Sequence, residues 1–156
     1  MSQGIGGHTR PNRGASVEWE TPPEILAALG PFDDDPCLPG HTNGLSRPWR
    51  GFVWLNPPYT RDLGLWLARL AAHPDGGIAL VFARTETRIF WDEVWKKATA
   101  LLFLMGRPHF YQHGERAKGN SGGPVCLVGY GQIATRRLAT TRLRGAYISF
   151  WEPRDA

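Results

Sequence analysis

Runs of apolar residues alternate along this chain with segments whose apolar positions recur every three or four residues. The periodic segments predict helices at residues 21–29, 61–72 and 88–98. The apolar runs predict strands at residues 51–55, 78–83, 101–105, 125–128 and 146–151. Because strands and helices alternate, the pattern favours an α/β protein with three layers and a mostly parallel central sheet.

Polar, Gly-rich and Pro-rich segments separate these elements. Residues 1–16 show no periodicity and are expected to form a flexible arm, which leaves residues 17–156 as a single domain. Thr21 is expected to be the N-cap of the first helix, with Pro22 in the first turn and Glu24 completing a capping box.

Composition is that of an ordinary globular protein. The 156 residues are 42% hydrophobic and 21% charged, and no apolar run is long enough to span a membrane. The start of the chain lacks the charged and apolar regions of a signal peptide, so the expected location is the cytosol. Cys37 and Cys126 provide neither a disulfide framework nor a zinc site. The net charge of +4 is compatible with a nucleic-acid partner.

The strand at residues 51–55 runs directly into Asn56-Pro57-Pro58-Tyr59. Ligands of parallel sheets bind beyond the carboxyl ends of strands, where this tetrapeptide falls. The side-chain carbonyl of Asn56 and the backbone carbonyl of Pro57 offer two acceptors to an aromatic NH2 group, and Tyr59 offers a ring for stacking. Such acceptors orient the amine towards an activated electrophile, for which a sulfonium methyl is suitable. The alternative is that the two prolines simply end the strand and Tyr59 caps the core.

Further motifs extend the pattern on both sides of this tetrapeptide. They are Gly7–Thr9, Trp19–Pro23, Phe32–Asp33, Asp35–Cys37, Asn43–Leu45 with Trp49, Val53–Leu55, Ala83–Thr85, and Gly106–Arg107 with Phe110. Over most of its length the chain resembles the small phage and prophage DNA N6-adenine methyltransferases of the Dam-like family. Residues 56–59 match motif IV of the amino-methyltransferases that use S-adenosylmethionine.

The resemblance implies a compact Rossmann-like methyltransferase fold and a defined reaction. The methyl group of S-adenosylmethionine would be transferred to the exocyclic amine of an adenine flipped out of double-stranded DNA. It further implies no metal, no obligate protein partner, and a location in the cytoplasm of a bacterial host. The catalytic residues that it implies are Asn56, Pro57, Pro58 and Tyr59.

The resemblance also implies where the cofactor and the DNA bind. Among three consecutive acids, Asp35 is the first choice for the ribose and Asp33 the second, because a carboxylate at a strand end can bind both hydroxyls. No G-x-G loop follows a strand in the first third of the chain, so an abbreviated cofactor site is expected. The cofactor-binding residues are then Thr21, Pro22, Asp33, Asp35, Pro36 and Asn56, and the DNA-binding residues are Arg84, Thr85, Arg107, Arg116 and Lys118.

Each of these assignments has a structural alternative. Arg84 follows a central strand and is also compatible with a buried arginine paired to an acid. The segment 106–123 is long for a loop in a compact domain, so it is either functional or a mobile surface loop. Residues 120–124 are expected to shape the base pocket. His109 and His113 lie close together, but two histidines without further ligands favour surface positions over a metal site.

Other functions share the tetrapeptide. N4-cytosine methylation uses the same kind of amine, although those enzymes more often carry Ser in place of Asn56. Methylation of a protein glutamine or of RNA guanine uses related motifs, but the glutamine enzymes keep a G-x-G loop that is absent here. A degenerate methyltransferase fold that only binds DNA is the non-catalytic alternative, and measured affinity for S-adenosylmethionine would distinguish it.

Overall fold

The computed structural model describes residues 19–41 and 43–155. Within these ranges the strands are Val53–Leu55 (β1), Gly77–Phe82 (β2), Ala100–Leu104 (β3), Tyr111–Gln112 (β4), Glu115–Arg116 (β5), Val125–Tyr130 (β6) and Gly145–Ile148 (β7). The helices are Pro23–Leu29 (α1), Leu63–Ala72 (α2), a π-helix at Phe90–Trp95, and Gln132–Thr140 (α3). Five strands form the central sheet in the order β1-β2-β6-β3-β7, and β4 pairs with β5 in a separate hairpin.

The central sheet is mostly antiparallel. β1 and β2 are parallel, whereas β6 runs antiparallel to both β2 and β3, and β7 runs antiparallel to β3. The prediction of a mostly parallel, Rossmann-like sheet is therefore wrong. All six residues of β6 are buried. Because helices cover both faces of this sheet, a central antiparallel strand carries the same continuous apolar run as a parallel one, and the run does not reveal its direction.

A short segment extends the sheet beyond β1. Asp34 forms a parallel bridge with Val53, and the backbone N–H of Trp54 donates to the carbonyl of Asp34 at 2.9 Å. The N–H of Asp33 donates to the carbonyl of Phe52 at 2.8 Å. Residues 33–35, β1 and β2 consequently run in the same direction, and their carboxyl ends meet at one edge of the sheet.

Helices pack on both faces of the sheet because alternate strand residues point to opposite sides. On one face α1 and α3 cover a cluster that includes Ile25, Leu29, Trp54, Leu80, Leu127 and Leu138. On the other face α2 and the π-helix cover a cluster that includes Leu55, Leu67, Leu70, Val81, Phe90 and Val94. Each such side chain stabilises the fold by about 1.5–3 kcal/mol through its burial.

Several local predictions are also wrong. The first helix starts at Pro23 with Pro22 as its N-cap and no side-chain cap, so Thr21 does not form the predicted capping box. A helix does lie within the predicted range 88–98, in the form of the π-helix, whereas α3 was not predicted. The segment 106–123 contains the β4–β5 hairpin rather than only a loop.

The predicted arm at residues 1–16 and the motif at residues 7–9 lie outside the described residues. Within the ranges described, the helices are too short to span a bilayer as an apolar membrane segment.

Candidate functional site

Asn56 lies immediately after β1, at the edge where the parallel segments end. Its side-chain Nδ2 donates to the backbone carbonyl of Trp19 at 2.9 Å. Because a carbonyl only accepts, this contact requires the amide nitrogen to face Trp19. The oxygen Oδ1 then faces away, and no described residue donates a hydrogen bond to it. Among the described residues, Asn56 therefore presents an acceptor that has no donor, in a fixed orientation.

The prolines that follow Asn56 provide a second acceptor, the backbone carbonyl of Pro57, one residue further along the chain. Pro57 is buried and Pro58 is exposed, and the N–H of Thr60 donates to the carbonyl of Pro58 at 2.9 Å. In the part of the chain that the structure describes, no donor reaches the carbonyl of Pro57. The fixed φ of each proline stiffens this turn, so the Pro57 carbonyl keeps its direction.

Tyr59 is attached to β2 through its hydroxyl. The hydroxyl accepts from the N–H of Phe82 at 2.5 Å and donates to the carbonyl of Leu80 at 3.4 Å. The last pair between β1 and β2 is Leu55 with Ala79, so these backbone groups of β2 lie beyond the end of β1. The hydroxyl thus satisfies backbone groups that have no partner strand there.

This attachment fixes the Tyr59 ring. Its centroid lies 4.5 Å from that of Phe82, with the ring planes tilted by 50°. Burial of the hydroxyl raises the pKa of Tyr59, so the phenol stays neutral. The side chain is nevertheless 43% exposed, so part of the ring is available for stacking.

The first two of the three consecutive acids have structural partners. The carboxylate of Asp33 accepts from the N–H of Phe52 at 2.7 Å. Asp34 makes a bidentate pair with Arg47, at 2.7 and 2.8 Å, and also accepts from the N–H of Arg50 at 3.1 Å. The Arg47 guanidinium holds the pKa of Asp34 below its usual value. Both carboxylates therefore accept hydrogen bonds from residues 47–52 of the same chain.

Asp35, like Asp33, makes no ion pair with any described residue. One carboxylate oxygen accepts from the N–H of Cys37 at 3.1 Å. Burial raises the pKa of Asp35 to about 6, and the charge of Asp34 adds to the shift. The position follows Asp34, the residue that bridges to β1, so Asp35 lies at the same edge as Asn56. Of the two acids predicted for the ribose, Asp33 is the more exposed and Asp35 the more buried, and each carboxylate accepts one backbone N–H.

The cofactor residues predicted on the α1 side lie over the end of β1. The indole Nε1 of Trp54 donates to Thr21 Oγ1 at 3.0 Å, which leaves the hydroxyl hydrogen of Thr21 available. Pro22 and Pro36 are both buried. A side chain at Gly44 would collide with the carbonyl of Pro36, so this part of the site is tightly packed.

Residues 19–21, here called the strap, connect three parts of the molecule. Trp19 accepts from Asn56, and Thr21 accepts from Trp54. Glu20 lies between them and pairs with Tyr111 of β4 through two backbone bonds of 2.9 and 3.0 Å. Both carboxylate oxygens of Glu20 lie 3.3 Å from the N–H of Gly114. The strap therefore joins the end of β1 to the β4–β5 hairpin.

The predicted DNA-binding residues divide into two groups. Arg84 is exposed and makes no ion pair among the described residues, and its guanidinium lies 5.7 Å from the Phe82 ring that also contacts Tyr59. The neighbouring Thr85 accepts from the Trp95 indole through its backbone carbonyl at 3.2 Å. Arg84 and Tyr59 therefore both lie near the Phe82 ring, on the same side of the candidate site.

The second group lies on the hairpin and the segments beside it. Arg116 and Lys118 are exposed at the end of β5 and just after it. Arg107 is also exposed and reaches the carbonyl of Gly122 at 3.4 Å. These side chains form a basic surface around the hairpin, and the predicted DNA contacts stay predictions. Nowhere in the described ranges does a cluster of His, Cys, Asp or Glu suitable for a metal occur.

Two motifs of the resemblance have structural roles. The carbonyl of Gly44 accepts from the Trp49 indole at 2.7 Å, and the Arg69 guanidinium lies 4.4 Å from the Trp49 ring. Arg69 also donates to the carbonyls of Leu45 and Arg47. These contacts fix the conformation of the loop that contains Arg47, the residue that pairs with Asp34.

Sequence reasoning missed the roles of Trp19, Glu20 and Arg47. Trp19 acts through its backbone carbonyl, which carries no sequence signal. Glu20 and Arg47 act through contacts with residues 94 and 13 positions away, which no local pattern encodes.

Comparison of the chain with protein families, with curated proteins and with solved structures finds no match.

Proposed function

We propose that this chain is a DNA N6-adenine methyltransferase that uses S-adenosylmethionine. The observation that carries the proposal is the arrangement after β1. There Asn56 presents Oδ1 in a fixed orientation, the Pro57 carbonyl lies one residue away, and the Tyr59 ring is held by its hydroxyl. Two acceptors beside an aromatic surface suit a flat ring that carries an NH2 group.

The two acceptors would act on the amine of the target base. Adenine N6 has two N–H bonds, and its lone pair is delocalised into the ring. Hydrogen bonds to Asn56 Oδ1 and to the Pro57 carbonyl would orient both hydrogens and favour a pyramidal nitrogen whose lone pair is available. Because the Asn56 amide is already held by Trp19, little reorganisation would be needed when the base arrives.

Tyr59 would receive the flipped base. Extrusion from the duplex costs a few kcal/mol, and stacking on an aromatic ring returns about 1–3 kcal/mol. The hydroxyl contacts with Leu80 and Phe82 prevent the ring from rotating away, so less conformational entropy is lost on binding.

The residues at the strand ends also suit the cofactor. When bound, S-adenosylmethionine supplies an electrophilic methyl group. Asp35 has a pKa of about 6, so it is mostly ionised at neutral pH and can accept hydrogen bonds from two ribose hydroxyls. The free hydroxyl hydrogen of Thr21 can donate to a carboxylate of the methionine part. These contacts would hold the ligand beside Asn56.

The reaction requires no nucleophilic side chain. The adenine nitrogen forms a bond to the methyl carbon as the carbon–sulfur bond breaks, and the nitrogen then loses one proton. Asn56 cannot accept this proton because its amide is not basic, so we assign the proton to water after transfer. Catalysis by this chain would rest on positioning and local electrostatics.

The basic surface supports a nucleic-acid substrate. The chain carries a net charge of +4. Exposed Arg84 follows β2 near the Phe82 ring, and exposed Arg116 and Lys118 lie at the end of β5 and just after it. Guanidinium groups contact phosphates in a planar, bidentate manner, and such contacts position a duplex without reading its sequence.

The test is transfer of labelled methyl groups from S-adenosylmethionine to unmethylated DNA, followed by digestion and mass spectrometry of the nucleosides. We expect N6-methyladenosine from the wild-type chain. We expect Asn56→Ala to lower turnover by about 10²–10³-fold, the usual loss when one positioned polar group of an active site is removed. Affinity for S-adenosylmethionine should stay within a few-fold of wild type.

Gln132→Ala is the matched control, because Gln132 is an exposed side-chain amide that follows β6, whose last residue pairs with the first residue of β2 at the edge opposite to Asn56. An N4-methylcytosine product would keep the mechanism and change the base. Near wild-type turnover of Asn56→Ala would contradict the proposed role of the amide. Absence of any DNA product from a wild-type chain that binds the cofactor would overturn the proposal.

A further inference from the structure

The orientation of the Asn56 amide depends on a backbone group of another segment. Its partner is the carbonyl of Trp19, whose position is set by the backbone of the strap rather than by a side chain. The Trp19 side chain is 46% exposed, so core packing alone does not fix this residue. The neighbour, Glu20, has the contacts that can fix it.

Glu20 is bound to the β4–β5 hairpin in two ways. Its N–H donates to the carbonyl of Tyr111 and its carbonyl accepts from the Tyr111 N–H. Its carboxylate accepts from the N–H of Gly114 in the hairpin turn, where His113 and Gly114 both have positive φ, at 52° and 76°. This turn geometry directs the Gly114 N–H towards the strap.

The hairpin itself carries an exposed cation directly opposite the strap contact. Arg116 is the cross-strand partner of Tyr111, which in turn pairs with Glu20. At its base, the hairpin is joined to the core by Phe110, which is 9% exposed and packs in the cluster beneath α1. A phosphate that binds Arg116 would therefore act on the strand that holds Glu20.

We propose that Glu20 is a positioning residue that couples the β4–β5 hairpin to the orientation of the Asn56 amide. Contact of DNA with the hairpin then favours the amide orientation in which Oδ1 faces the base. The inference rests on the proposed function only for the identity of the ligand that binds the hairpin. The coupling itself is a property of the strap.

The first measurement is the side-chain NH2 signal of Asn56 in ¹⁵N-labelled protein, assigned by its disappearance in Asn56→Asp. In the wild-type chain we expect slow exchange with solvent and a shift typical of a hydrogen-bonded amide. In Glu20→Ala, exchange should accelerate by about five-fold, the factor that corresponds to one hydrogen bond of ordinary net strength. Glu20→Gln keeps an acceptor oxygen and should restore most of the protection.

Glu115→Ala is the matched control, because Glu115 is an exposed glutamate on the same hairpin and has no contact with the strap among the described residues. It should leave the Asn56 signal unchanged. If Glu20→Ala is folded and its Asn56 signal matches wild type, the coupling is refuted, whatever the chain methylates.

The second measurement adds an unmethylated DNA duplex. We expect DNA to increase the protection of the Asn56 amide in the wild-type chain and to have a smaller effect in Glu20→Ala. In steady-state assays Glu20→Ala should lower kcat by about five-fold and leave the KM for S-adenosylmethionine unchanged. A rise in that KM with unchanged kcat would contradict a role through Asn56. A wild-type chain that methylates no DNA would refute the proposed function and leave the amide measurement valid.

Discussion

The central sheet has a parallel part and an antiparallel part, and the two differ in what their strand ends carry. In the parallel part, residues 33–35, β1 and β2 end at one edge and present Asp35, Asn56 and Arg84 there. In the antiparallel part, β6 lies between β2 and β3 and is buried along its whole length.

This difference assigns separate roles to the two parts. Parallel strands collect their carboxyl ends at one edge, so polar residues that follow them become neighbours without any further loop. Antiparallel strands end alternately at opposite edges and cannot collect residues in this way. We therefore expect substitutions in the antiparallel part to cost the most stability, and substitutions at the parallel edge to cost less stability and to change activity as well.

Leu127→Ala in β6 should have the largest effect on stability. Leu127 is fully buried, so the change removes apolar contacts and leaves a cavity, with an expected loss of about 2–5 kcal/mol in the free energy of unfolding. Urea denaturation followed by fluorescence measures this loss. Leu65→Ala, at a side chain that is 60% exposed, should stay within about 0.5 kcal/mol. Loss of turnover in folded Leu127→Ala at low temperature would break the division of roles.

Asp35→Asn should increase stability at neutral pH. The carboxyl titrates near 4 in the unfolded chain and at about 6 in the fold. The stability that the neutral carboxyl provides is fully present below about pH 4 and is lost as the pH rises through 6. Above pH 6 the free energy of unfolding of the variant should therefore exceed that of wild type by on the order of 2 kcal/mol. This difference should vanish near pH 4.

Urea denaturation of the wild-type protein and of Asp35→Asn at pH 4 and pH 7 tests the predicted direction of the stability difference. The same variant should bind S-adenosylmethionine more weakly, because a neutral amide is a poorer acceptor for two hydroxyls. A variant that is less stable than wild type at pH 7 would show that the Asp35 carboxylate has a stabilising partner in the fold.

Tyr59→Phe should have the smallest effect of the three. It removes the buried hydroxyl that accepts from the N–H of Phe82 and donates to the carbonyl of Leu80, so we expect a loss of about 1–2 kcal/mol in the free energy of unfolding. Hydrogen exchange at the Phe82 amide should accelerate, while amides in β6 should not respond. Equal acceleration in β6 would show that the two parts of the sheet do not open separately.

The sequence predicted the positions of most strands because their apolar runs are long and bounded by turns. It did not predict their directions, since the run at residues 125–130 is apolar whichever way the strand runs. It also missed α3, in which Ala134 and Leu138 are buried but exposed Ile133 and two arginines obscure the apolar face.

The residues after β1 could be named from sequence because their chemistry is local to one tetrapeptide. The choice among the three acids could not be made from the residues alone. Asp33 and Asp34 have partners at Phe52 and Arg47, which lie 19 and 13 residues away. Only the fold shows that Asp34 is paired with an arginine, whereas Asp33 and Asp35 accept backbone N–H groups.

These three acids also determine how the segment at residues 33–35 aligns with β1. A slip by one residue would place Asp34 at the position of Asp35 and turn every side chain of the segment to the opposite face. Such a slip would break the contact of Asp33 with Phe52 and the pair of Asp34 with Arg47. Gly51 has φ +60°, and a side chain there would collide with the Asp33 carboxylate, so the alignment also depends on a glycine. The contacts of two carboxylates thus select which of the three consecutive acids follows the bridge to β1 at the edge of the sheet.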